Sequence, residues 1–168
     1  MEVEGLTPPE AAFYLQPTID VARRLLGCYL ISEVGGVSTG GRIVETEAYL
    51  ADDPASHSYH GERRRNRSMF AAGGTLYVYL SYGVHYCLNV VTGPAGVGEA
   101  VLLRALEPAW GVNIMARRRG REGDLQERAV ESGAPGRAAA SSPGSGRKLT
   151  GVSDGPGKIA SALGVTGD

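Results

Sequence analysis

Residues 75–91, TLYVYLSYGVHYCLNVV, alternate large β-forming side chains on either side of Ser81-Tyr82-Gly83. The pattern predicts two strands folded back on one another, so a sheet with antiparallel pairing is expected. Because side chains on a strand alternate between faces, Tyr77, Tyr79 and Ser81 share a face in the first arm, opposite Leu76, Val78 and Leu80. In the second arm His85, Cys87 and Asn89 share a face, opposite Val84, Tyr86 and Leu88. Tyr82 is left at the tip beside a glycine, where a large aromatic either packs back on its own strand or stands free for use.

A second strand-compatible stretch, residues 42–50 (RIVETEAYL), carries the chemistry. Alternation puts Glu45, Glu47 and Tyr49 on one face and Val44, Thr46 and Ala48 on the other. An edge strand can carry such carboxylates simply as a wet face. Here, however, the stretch runs into ADDPASHSYHGERRRNRSMF, an acidic turn leading to His57 and then to a dense arginine cluster. A carboxylate strand, a histidine and a basic loop together point to acid–base chemistry on an anionic polymer.

The charge distribution supports that reading more than the total does. The net charge is −1, which argues against a chain that coats nucleic acid through bulk charge. Yet four arginines fall within residues 63–67 and four within 117–121, out of 17 basic residues in all, and patches of this kind can follow a phosphate backbone. The alternative is two solvated basic loops. Cys28 and Cys87 have no CxxC spacing, so neither a disulfide framework nor a zinc site is indicated, and both are expected to be buried thiols. The longest apolar runs are far short of a membrane span and the amino terminus lacks signal-peptide character, so a cytoplasmic protein without membrane association is expected.

With 168 residues the chain suits one domain of the α/β or α+β class. A short amphipathic helix is expected over residues 18–26, with Ile19, Ala22, Leu25 and Leu26 as its apolar stripe. A strand over 28–33 should turn at Gly35-Gly36 into the strand bearing the central motif. Residues 99–106 read as a further strand whose one interior charge, Arg104, needs a partner; Glu45, Glu47 or a phosphate would serve. Pro108 is expected near the start of a helix reaching Arg119, with Trp110, Ile114 and Met115 buried. Residues 132–146, SGAPGRAAASSPGSG, have no apolar period and are read as a flexible loop within about 132–150. Gly155-Pro156-Gly157-Lys158 should punctuate entry to a last short helix, IASAL.

Taken together, RIVETEAY, AxHS at 55–58, RNRSMF, GTLYVYLSYG, CLNV and VLLRALEP resemble, in order and spacing, the alkyladenine (3-methyladenine, methylpurine) DNA glycosylase family. The similarity runs over about residues 13–120 and resumes at 155–165. It implies a single compact domain with a curved, mainly antiparallel sheet, a few short flanking helices, and no metal or cofactor. It also implies roles: Glu47 as the catalytic carboxylate, with Arg104 beside the catalytic water; Tyr49, His57 and Tyr79 as the base-stacking pocket; Asn89 as the screen against normal purines; Tyr82 as the intercalating side chain. Arg63, Arg64, Arg65, Arg67, Arg117, Arg118 and, more weakly, Lys158 are the candidate phosphate contacts. Residues 132–150 depart from the family pattern. Members usually continue for some tens of residues past the point where this sequence ends, adding strand structure and a backbone carbonyl that helps hold the water, so an incomplete C-terminus is expected.

The implied activity is removal of alkylated or deaminated purines (3-methyladenine, 7-methylguanine, hypoxanthine) from double-stranded DNA by a monomeric, bacterial-type enzyme, nucleoid-associated when bound. The damaged nucleotide would be flipped out and its N-glycosidic bond hydrolysed by an activated water. No lysine sits among the pocket residues, so a monofunctional enzyme leaving an abasic site is expected. Three other readings stay open on the residues: a metal site from Glu45, Glu47, His57 and His60; a sugar-hydrolase pair from Glu45 and Glu47; and a non-catalytic lesion binder of the same fold.

Overall fold

The structure is a computed structural model, and it describes residues 6–121 and 151–166. Five strands form one antiparallel sheet in the order β1-β2-β5-β4-β3. They are β1 (Tyr29–Val34), β2 (Val37–Tyr49), β3 (Leu76–Ser81), β4 (His85–Thr92) and β5 (Glu99–Trp110). The sheet curls into a half barrel. Among the described residues four α-helices accompany it: α1 (Ala11–Tyr14), α2 (Thr18–Leu25), α3 (Val112–Arg118) and α4 (Pro156–Leu163). A 3-10 helix spans Arg64–Phe70. No helix among the described residues is long and apolar enough to cross a membrane.

The two sides of the sheet are used differently. On one, Leu88 and Val90 of β4 and Val101 and Leu103 of β5 pack against Val21, Ala22 and Leu25 of α2, Met115 and Ala116 of α3, and Ile159, Ala162 and Leu163 of α4. This is the main core, and burying each of its valine, leucine, isoleucine and methionine side chains contributes roughly 1.5–3 kcal/mol. On the other side a smaller cluster of Met69, Tyr77, Val91 and Ala100 packs with Tyr49, Phe70 and Tyr79. The alternation expected for residues 75–91 is observed: Tyr77 pairs with Asn89, Tyr79 with Cys87 and Ser81 with His85.

Several expectations need correcting. The strand expected to end at residue 106 continues to Trp110, and Pro108 lies inside it rather than at a helix start. Pro108 pairs with Gly41 beside a register shift at Ala109, an irregular stretch of ladder that tolerates a residue with no N–H. A Cβ on Gly41 would lie 2.4 Å from the Glu107 carbonyl oxygen, so the two backbones meet where only glycine fits. The helix begins only after Gly111, at φ 59°. Trp110 then packs edge-on against Tyr29, ring centroids 4.9 Å apart, while Met115 and Ala116 are the residues that α3 buries. In α2 the buried set is Thr18, Val21, Ala22 and Leu25, leaving Ile19 and Leu26 exposed. Cys87 is buried as expected, but Cys28 is only half-buried, its thiol donating to the Arg24 carbonyl. The Gly-Pro-Gly-Lys segment forms the first turn of α4 rather than preceding it. The flexible loop expected over about 132–150 lies outside the described residues.

Candidate active site

Row by row across the face opposite the main core, the ladder brings the chemistry together. Glu47 of β2 pairs with Leu102 of β5, Leu102 with Asn89 of β4, and Asn89 with Tyr77 of β3, so four side chains from four strands stand in one line. Tyr49 pairs with Ala100 on one side of that line; Tyr79 and Cys87 form the pair on the other.

Glu47 is held at both oxygens. Tyr49 Oη donates to Oε1 at 3.0 Å and Arg104 Nη1 to Oε2 at 2.5 Å. Arg104 Nε also donates to Glu45 Oε1 at 2.9 Å, so the partner expected for this arginine is both carboxylates at once. Arg104 is not an interior charge, since 37% of its side chain is exposed. Burial first, and then the hydrogen bond to Glu47, push the Tyr49 phenol above its ordinary value, so it remains a donor.

Val44 is the exception to the predicted facing of β2. It is exposed instead of sharing the core side with Thr46 and Ala48, because the β2–β5 register skips Val44 on one strand and Arg104 on the other. Each is a bulge, and together they place Val44 and Glu45 consecutively off the core between buried Ile43 and Thr46, whose hydroxyl donates to the Ala22 carbonyl of α2.

His57 arrives from the loop after β2. Its ring lies 4.4 Å from that of Tyr79, and its Nδ1 is 2.8 Å from Tyr77 Oη. Partial burial first, then the charge of Arg65, hold its pKa below the ordinary value, so the imidazole is neutral near pH 7. Two residues not singled out from the sequence support it. Tyr77 is almost wholly buried and stacks on Tyr79, centroids 5.4 Å apart. Asn66, 2% exposed, donates to the carbonyls of His57 and Gly61 and accepts from the Arg63 N–H, tying the histidine's backbone to the arginine turn. The polar residue inside an arginine run was the available signal for Asn66; Tyr77 already lay on the predicted site face.

Asn89 is buried and its Nδ2 donates to the Tyr77 carbonyl at 3.0 Å, which fixes the amide in the row. Tyr82 is 99% exposed, so it does not pack back on its strand. It sits at φ 50° with Gly83 at φ 69°, in a turn closed by the Val84 N–H to the Ser81 carbonyl. Tyr82→Ala is therefore expected to leave Tm nearly unchanged in a thermal melt; a loss of roughly 3–5 kcal/mol, typical of a core aromatic, would contradict this placement.

The basic residues divide. Arg63, Arg64, Arg65 and Arg67 are exposed, Arg67 with Glu62 3.6 Å away. Arg117 is exposed, but Arg118 is half-buried and its Nη1 donates to Thr39 Oγ1 and the Ala162 carbonyl, a bracing position between β2 and α4. Lys158 pairs with Asp154 at 2.9 Å. Among the described residues no group of three His, Cys, Asp or Glu side chains is placed to hold a metal ion, and His60 packs edge-on against Tyr59.

Comparison with known proteins accords with this geometry. The family model described as methylpurine-DNA glycosylase matches residues 12–168. A protein of Methanoculleus marisnigri is 47% identical over 158 residues, covering 94% of this chain and 69% of that protein. One from Carboxydothermus hydrogenoformans is 53% identical over 108 residues, 64% of this chain and 56% of that protein. One from Nitrosospira multiformis is 55% identical over 120 residues, 71% of this chain and 58% of that protein. All three carry the name "Putative 3-methyladenine DNA glycosylase", and the chain spans little more than half the length of the last two.

Proposed function

The chain belongs to the methylpurine-DNA glycosylase family, and from that premise we propose that it hydrolyses the N-glycosidic bond of damaged purines flipped out of duplex DNA. The observation that carries the proposal is Glu47 itself: a half-exposed carboxylate held at one oxygen by Tyr49 and at the other by Arg104, in line with the buried Leu102, Asn89 and Tyr77.

A base inside a duplex is out of reach, so flipping comes first and costs a few kcal/mol. Tyr82, free at its hairpin tip, fills the gap left behind. Tyr49, His57 and Tyr79 stack on the extruded base, at roughly 1–3 kcal/mol per base. Glu47 accepts the proton of a water attacking the anomeric carbon as the base departs, and Arg104 helps place that water; general-base help of this kind is worth about two to four orders of magnitude in rate. An alkylated purine leaves with its positive charge neutralised. Hypoxanthine leaves as an anion or takes up a proton as it goes. With water as nucleophile the product is an abasic site in an uncut strand.

The test is single-turnover base release from a duplex containing hypoxanthine. Release of free base, with strand scission appearing only after alkali, is the expected outcome and should be insensitive to EDTA. Tight lesion binding with no release would replace this reading with that of a binding protein.

Asn89 is proposed as the discriminator against guanine, which differs from hypoxanthine by one exocyclic amino group. The amide cannot turn away without giving up its bond to the Tyr77 carbonyl, and an unmatched buried polar group costs about 1–3 kcal/mol. Asn89→Ser should keep hypoxanthine release within about tenfold of wild type while making guanine release measurable, most readily from mismatches, where flipping is cheapest. An unchanged ratio of the two single-turnover rates would show that Asn89 is structural.

A further inference from the structure

Two arginine–glutamate contacts bridge β2 and β5, and they differ in a way that bears on Glu45. Arg42 faces one carboxylate, Glu107, and closes on it with both Nε, at 2.9 Å, and Nη2, at 2.5 Å, to the same oxygen, Oε2. Arg104 faces two carboxylates and is divided between them, Nε to Glu45 and Nη1 to Glu47. A guanidinium is a rigid planar fork, so its Nε edge cannot serve two carboxylates at once.

We propose that Glu45 is a positioning residue: by occupying Nε of Arg104 it keeps the guanidinium from closing on Glu47, leaving a lone pair on each Glu47 oxygen free for water. The geometry is specific to the bulged stretch. Skipping Val44 and Arg104 in the ladder is what brings Glu45, Arg104 and Glu47 together on one face, and the exposed Val44 shows that the local pattern is not set by core packing. The proposal rests on Glu47 being the general base.

Charge gives it a measurable signature. Glu47 contacts Tyr49 of its own strand and Arg104 of β5, which it shares with Glu45; Asp53 of the following loop and Tyr79 of β3 act on Tyr49, and Tyr77 of β3, Cys87 of β4 and His57 lie beyond them against Tyr79. Removing Glu45 removes a like charge and lets Arg104 bear wholly on Glu47; both favour the ionised form of Glu47 and make it a weaker base. Activity requires Glu47 ionised, so in Glu45→Ala, which removes the acceptor as well as the charge, the acid limb of the single-turnover rate on hypoxanthine duplex should move to lower pH by about half a unit or more, with the plateau about three- to tenfold lower. Duplex affinity should be unchanged. Glu45→Asp, which keeps the charge, should hold the limb near its wild-type position. Carbon-13 NMR titration of the glutamate carboxyls should show the same downward shift at Glu47 without recourse to turnover.

An unmoved limb and an unmoved carboxyl titration would overturn the proposal. A collapse equal to that of Glu47→Gln would overturn it too, by making Glu45 the base. If the wild type releases no base, the functional reading falls first, and wild-type turnover distinguishes that failure from failure of the proposal alone.

Discussion

Replacing Glu47 by glutamine is expected to reduce base release by about two orders of magnitude or more while lesion binding is retained. The substitution keeps the shape of the side chain and an oxygen for Tyr49 or Arg104 to donate to; what it removes is the capacity to take a proton from water. The fold should tolerate it, because Arg104 keeps Glu45 as a partner and is not left as an unpaired charge. The comparison is single-turnover release from hypoxanthine duplex alongside equilibrium binding of the same duplex. A Glu47→Gln rate within about tenfold of wild type would mean that the catalytic carboxylate lies elsewhere.

Removing the charges of Arg63, Arg64 and Arg65 together is the second large effect. All three side chains are exposed at the start of the 3-10 helix, whereas the neighbouring Arg67 has Glu62 within 3.6 Å and the more distant Arg118 braces β2 against α4. If each of the three neutralises one phosphate, the slope of log affinity against log salt should flatten by about 0.9 per residue, which at roughly 0.1 M salt amounts to about five-hundredfold weaker binding. Damaged and undamaged duplex should suffer alike, because phosphate contacts carry no sequence information. An unchanged slope in a salt titration would identify the cluster as a solvated loop.

What could be read from the sequence follows from how local each determinant is. The hairpin of β3 and β4 was legible because alternation of large β-formers is a property of the segment alone, and its predicted faces are those observed. Glu47 and Tyr49 on one side of β2 followed from the same rule. The bulges did not, because a skipped residue is defined only against the partner strand, and nothing in RIVETEAYL marks Val44 as the one left out. The extension of β5 through Pro108 was hidden for a similar reason: proline ordinarily signals a helix start or a strand end, and here the irregular pairing with Gly41 accommodates it. Tyr77 and Asn66 act through hydrogen bonds to a histidine 20 and 9 residues away, which periodicity cannot report. Arg118 looked like one more member of a basic run until α4, some forty residues later, supplied the carbonyl it braces.

The paired bulges also set how this site can change over evolutionary time. A strand ladder has a reading frame of two, and one residue gained or lost exchanges the faces of everything beyond it. Here the step at Val44 and the step at Arg104 cancel, so Thr46 and Ala48 still turn inward against Leu103 and Val101. Deleting Val44 alone would instead make β2 alternate regularly from Ile43 through Thr46 and leave Ala105 and Arg104 together opposite Glu45 as a single bulge of β5, with Glu47 and Tyr49 on the face they now occupy. The bulged stretch is thus a buffer of length: it takes up a one-residue difference between the two strands beside the site and spares the facing of Glu47 and Tyr49.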